Sequence, residues 1–71
     1  MIETVIESEY IKLDSALKKA GLVNTGGHAK IIIQNGEVKV NGEVCFLRGK
    51  KLRQGDTAEY GNKTIIIKYA G

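Results

Sequence analysis

The sequence predicts an α+β fold in which two helices come first and two β-hairpins follow, in a single domain over residues 1–71. Three observations carry that prediction. Leu13, Ala16, Leu17 and Ala20 recur at the three-and-four spacing that places side chains on one face of a helix. Val38-Lys39-Val40 alternates and then meets Asn41-Gly42, the pair that favours a two-residue hairpin turn. Isoleucine and valine dominate the apolar content, as suits strands packed beside helices. At 71 residues and 42% hydrophobic, the chain can build one core, near the lower size limit for folding without metal or disulfide support.

In chain order, Met1 to Ile6 reads as a short strand, although Ile2, Val5 and Ile6 fit neither period cleanly. The first helix starts near Leu13 and ends at Gly21 as a left-handed cap. Asp14 and Lys18, four apart, are placed to pair on its surface, for about 0.2–0.5 kcal/mol. The second helix begins after Asn24 or Thr25, both good caps, and runs to Gln34 or Asn35 before Gly36. Its buried stripe is Ala29, Ile32 and Ile33, and Ile31 falls opposite it. Val38–Val40 and Glu43–Phe46 form the first hairpin. Leu47 to Asp56 is polar and glycine-punctuated, so it reads as a connecting loop that ends in a Gln54-Gly55-Asp56 turn. Thr57–Tyr60 and Lys63–Tyr69, joined by Gly61-Asn62, form the second hairpin, and Ala70-Gly71 is a tail.

The net charge of +3 is mild but unevenly spread. Glu3, Glu7 and Glu9 stand among the first eleven residues with no Lys or Arg. The remaining 60 residues hold all eleven cations against five acids, a balance of +6. That asymmetry favours an anionic partner, although a solvated surface accounts for charge of this size equally well. The single Cys45 cannot form an internal disulfide, which suits a reducing cytoplasm. The N-terminus has no signal-peptide pattern, and no apolar run approaches the ~20 residues that span a bilayer. A soluble cytoplasmic protein with no membrane partner is expected.

Placement gives the cations more meaning than their number. Gly26 and Gly27 in the first turn of a helix each cost about 1 kcal/mol against Ala in a helix interior, and they leave backbone N–H groups unobstructed. Lys30 stands one turn further in, where its stem can lie on the core and its ammonium can reach the same anion. Arg48, Lys50, Lys51 and Arg53 put four cations in six residues, enough to neutralise several phosphates. Lys12 and Lys19 lie off the apolar face of the first helix. His28 is at the second helix start, although a lone histidine is ordinarily a plain surface residue. Among the tyrosines only Tyr10, just ahead of Lys12, is a stacking candidate.

Several of these residues occur in an order that resembles a known family. Ile11-Lys12-Leu13-Asp14, Thr25-Gly26-Gly27-His28-Ala29-Lys30, Gly36-Glu37-Val38-Lys39-Val40-Asn41-Gly42 and Lys51-Leu52-Arg53-Gln54-Gly55-Asp56 resemble the S-four-type RNA-binding domain over roughly residues 10 to 60. The closest likeness is to small stand-alone bacterial proteins made of that domain. The resemblance implies two packed helices followed by a small, mostly antiparallel sheet, the alpha-L motif, with RNA gripped across the helix pair and adjoining loops. Lys12 and Lys30 match its basic positions, and Thr25, Gly26 and Gly27 match its helix start. Where close relatives tend toward consecutive arginines before the glycine, this chain has Leu47-Arg48-Gly49, one cation fewer.

The expected function is therefore non-catalytic binding of structured RNA, with ribosomal or transfer RNA and a role in ribosome assembly or translation implied by the resemblance. The expected site is Lys12, Lys19, Thr25, Gly26, Gly27, His28, Lys30, Arg48, Lys50, Lys51 and Arg53. The ribosome itself is a further candidate partner. No cofactor, metal or small-molecule substrate is expected: Cys45 has no second ligand beside it, and Asp14 and Asp56 are explained by capping and turn roles. The alternative is a protein-interaction module using Phe46-Leu47 or a sheet edge. A sulfur carrier is remote, because the chain ends Tyr69-Ala70-Gly71 rather than in a Gly-Gly tail.

Overall fold

The computed structural model describes residues 1–71, and both helices lie where the apolar spacing places them, α1 over Leu13–Lys19 and α2 over Gly26–Gln34. Their buried residues are Leu13, Ala16 and Leu17 on α1 and Ala29, Ile32 and Ile33 on α2. Thr25 caps α2, its hydroxyl oxygen accepting from the His28 N–H at 3.1 Å. Both helices close in the same way. Leu22 N–H donates to Leu17 O and Gly21 N–H to Lys18 O after α1; Glu37 N–H donates to Ile32 O and Gly36 N–H to Ile33 O after α2. These are the paired bonds of a Schellman ending, which satisfies carbonyls that would otherwise be orphaned.

The strands are β1 (Ile2–Ile6), β2 (Ile11–Lys12), β3 (Val38–Val40), β4 (Glu43–Val44), β5 (Lys51–Leu52), β6 (Thr57–Tyr60) and β7 (Lys63–Tyr69). Five of them make one sheet in the order β1-β7-β6-β3-β4, antiparallel except for the β1–β7 pair, which is parallel. The β3–β4 turn has Asn41 at φ 51° and Gly42 at φ 86°, both left-handed, as the two-residue turn requires. Asn41 also ties the hairpin to β6: its amide oxygen accepts from the Thr57 N–H at 2.9 Å, and its amide nitrogen donates to Asp56 at 3.1 Å.

Alternation along the strands decides which face meets the helices. Val38 and Val40, Ala58, and Ile65 and Ile67 point inward and join Leu13, Leu17, Ile32 and Ile33 in one core cluster. Thr4 and Ile6 supply the β1 contribution, and the Thr4 hydroxyl is buried without a partner.

Three expectations need correction. Residues 47–56 are not all loop, because Lys51–Leu52 form β5, which pairs antiparallel with β2 in a separate two-stranded ribbon. A strand of two residues has no period to read, and its partner is some 40 positions away in the chain. The second arm of the first hairpin is shorter than Glu43–Phe46: β4 ends at Val44, and Phe46 turns out against Gly36. Finally, Asp14 pairs with Arg48 at 3.7 Å rather than with Lys18.

Candidate nucleic-acid interface

The ribbon organises the densest group of cations. Its register sets Ile11 opposite Leu52 and Lys12 opposite Lys51. Side chains alternate across a strand, so Ile11 and Leu52 face one way and Lys12 and Lys51 the other. Leu52 is fully buried and Ile11 packs against the same core. Lys12 and Lys51 are therefore held side by side in solvent, on directly opposed positions whose Cβ atoms lie about 4.5–5.5 Å apart. Like charges so placed repel one another, and an anion between them turns that repulsion into attraction.

Tyr10 and Arg53, two residues outward on each arm, extend the same face. Lys51 Nζ lies 4.8 Å from the centre of the Tyr10 ring and Arg53 Cζ 5.6 Å from it, both within cation–π range. The tyrosine thus gathers two cations that would otherwise swing freely. Arg53 is further set by its backbone, whose N–H donates to Asp56 at 2.7 Å. The Asp56 carboxylate is engaged with this N–H and with Asn41, which accounts for it structurally.

The adjoining loop is locked to α1. Leu13 N–H donates to Lys50 O at 2.8 Å and Asp14 N–H to Arg48 O at 3.1 Å, so the loop carbonyls seal the start of this helix. Arg48 lies over Asp14 in the protein's one ion pair, which offsets part of its charge. Lys50 is exposed and unpaired on the same loop.

The remaining expected residues form a second group. The Gly26 and Gly27 N–H groups find no acceptor within the protein, and the space where a Gly26 Cβ would lie is open. The His28 N–H is not free, since Thr25 takes it. The His28 ring meets Tyr60 edge-on, with centroids 6.4 Å apart, which sets the start of α2 beside the far end of β6. The ribbon adjoins the opposite end of β6, through Arg53, Asp56 and Thr57. Lys19 is exposed in the last turn of α1, and Lys30 is exposed one turn into α2. The structure thus brings Lys12, Lys51 and Arg53 together with Arg48 and Lys50 nearby, and sets Thr25, Gly26, Gly27 and His28 apart from them at the other end of β6.

The S4 domain family model matches residues 4–68, a span that holds both helices, the ribbon and nearly all of the sheet. The chain belongs to the S4 domain family. The probable ribosome maturation protein RlbA of Bacillus subtilis is 43% identical to it over 54 residues, 76% of each chain. The solution structure of YbcJ from E. coli, described as revealing an alpha-L motif involved in RNA-binding, superposes with a TM-score of 0.74 at 28% identity. That match covers 96% of this chain and 87% of YbcJ.

In this S4 domain, two residues of the ribbon site escaped emphasis in the linear sequence. Tyr10 appeared only as a stacking candidate, and Asp14 as a partner for the wrong cation. Tyr10-x-Lys12 and Lys51-x-Arg53 each flank one apolar residue, but triplets this short mark a ribbon only once the β2–β5 pairing is known. The domain has no group of three His, Cys, Asp or Glu side chains placed to hold a metal, and no helix long and apolar enough to cross a membrane.

Proposed function

We propose that this protein is a non-catalytic RNA-binding module that grips structured RNA, ribosomal or transfer RNA, during ribosome assembly or translation in the cytoplasm. The opposed Lys12–Lys51 pair, flanked by Tyr10 and Arg53 on one exposed face, is the observation that carries it. Three cations held without a neutralising carboxylate fit a phosphate backbone better than a neutral partner. Arg48 and Lys50 extend this contact along the loop. The Gly26 and Gly27 amides, with Lys19, His28 and Lys30, make a second contact at the other end of the helix pair. Two separated contacts suit recognition by shape, since they require a backbone that bends to reach both. The description of YbcJ as RNA-binding and the ribosome-maturation name of RlbA support the reading from relatives.

The test is a gel shift on folded ribosomal RNA with Lys12→Glu/Lys51→Glu, checking the fold by circular dichroism. Affinity is expected to fall more than tenfold with the spectrum unchanged. For Lys12→Ala/Lys51→Ala, the slope of log K against log salt should shrink by roughly 0.7–0.9 for each phosphate no longer neutralised. Undiminished affinity in the charge-reversed variant overturns the proposed face.

A further inference from the structure

Beyond the cationic face, the protein exposes a compact apolar feature that phosphate binding does not use. Phe46 is 62% exposed, Leu47 67% and Val44 46%. They line a cavity of about 480 Å³ with Val40, Cys45 and Lys50. Asn41 and Glu43 complete its wall. The volume lies in the range of small-ligand sites, about 300–1,000 Å³.

We infer that this cavity receives one unstacked nucleobase of the bound RNA, with the base laid on the Phe46 ring and its phosphate held at the rim by Lys50. The inference rests on the RNA-binding reading above, and four observations lead to it. First, the ring is held from behind. Gly36 has φ 76°, and a Cβ there would come within 3.2 Å of the Phe46 ring, so the absence of a side chain lets the ring lie close against this backbone. One side of the aromatic is thus packed while most of its surface stays open, as a stacking platform requires.

Second, the chain links the cavity to the cationic face. Lys50 lines it, is followed directly by Lys51 of the ribbon, and accepts the Leu13 N–H through its carbonyl at 2.8 Å. A phosphate held by Lys51 would lie one residue along the chain from the Lys50 that lines the cavity. Third, the charges sort backbone from base. Lys50 draws a phosphate, while the Glu43 carboxylate in the wall repels one and accepts from base N–H groups. Fourth, the patch is too small for a protein partner of ordinary affinity. Its few apolar residues fall well short of the roughly 20–30 residues per side of a stable protein interface. Stacking a base, in contrast, needs only one ring and is worth about 1–3 kcal/mol.

The chain contains no tryptophan, so Phe46→Trp introduces a single fluorescent reporter at the proposed platform. Folded ribosomal RNA added to this variant is expected to quench its emission along the same curve that a gel shift traces. Phe46→Ala should bind the same RNA about 5- to 50-fold more weakly with an unchanged salt slope, because a stacking contact releases no counterions. Thermal melting of each variant confirms that it is folded. Full affinity in Phe46→Ala together with an unquenched indole overturns the base pocket while leaving the ribbon reading intact. Concentration-dependent self-association that disappears in Phe46→Ala, with RNA affinity unaltered, overturns it in favour of a second copy of the chain. Failure of the unmodified protein to bind RNA removes both readings.

Discussion

Tyr10 shows how much one side chain can contribute without touching the core. It precedes β2, and its ring draws Lys51 and Arg53 to within 4.8 and 5.6 Å. Each such contact at an exposed site is worth about 0.5–1 kcal/mol, enough to bias two long side chains toward one side of the ribbon. The aromatic face does this, not the hydroxyl, so Tyr10→Phe is expected to keep full RNA affinity. Tyr10→Leu should lose about three- to tenfold in a filter-binding titration with its melting temperature nearly unchanged. Equal loss in both variants would move the role from the ring to the hydroxyl. Arg48 is the contrasting case: its ion pair with Asp14 holds it over α1 and offsets part of its charge.

At the scale of elements, the helix ends and the ribbon matter most. Seven and nine residues are too few for helices to persist alone, so their caps and their buried stripes must hold them. Thr25 carries the α2 cap by itself, with no acidic residue in the first turn to help. Thr25→Ala should lower the unfolding free energy by about 1 kcal/mol in a urea titration, with or without RNA present. The helices and the two hairpins were legible because each carries its own periodicity and its own turn residues. The ribbon was not. Lys51-Leu52-Arg53 looks like any basic loop until Ile11 and Lys12 are brought beside it, and pairing across 40 residues leaves no local trace. β1 was half legible for a different reason: its inward side carries a polar Thr4 between Ile2 and Ile6, while Val5 faces out and Ile2 is left partly exposed at the strand end, which scrambles the apolar alternation.

Across the whole molecule, the core and the proposed binding face meet at Leu52. This side chain is fully buried, yet its two neighbours are the solvent-facing cations Lys51 and Arg53. The ribbon is thereby bolted to the hydrophobic cluster, and the cations ride on a rigid support. Leu52→Ala is expected to cost about 2–5 kcal/mol in chemical denaturation. In a domain this small, such a loss leaves a substantial unfolded fraction, and the ribbon cations should lose their shared geometry. Hydrogen exchange at the ribbon amides should accelerate more than at β6 and β7, where the sheet pairing is independent of Leu52.

The linear chain specified two amphipathic helices, two hairpins, an excess of cations past residue 11 and an ordered set of motifs that resemble one family. These are local properties, carried by spacing, turn residues and charge, and they need no knowledge of distant partners. The parallel closure of β1 on β7, the β2–β5 ribbon, the pairing of Arg48 with Asp14 and the separation of the α2 start from the ribbon cations came only with the folded chain. Each depends on segments far apart in sequence meeting in space, which burial of one shared core enforces and no local pattern encodes.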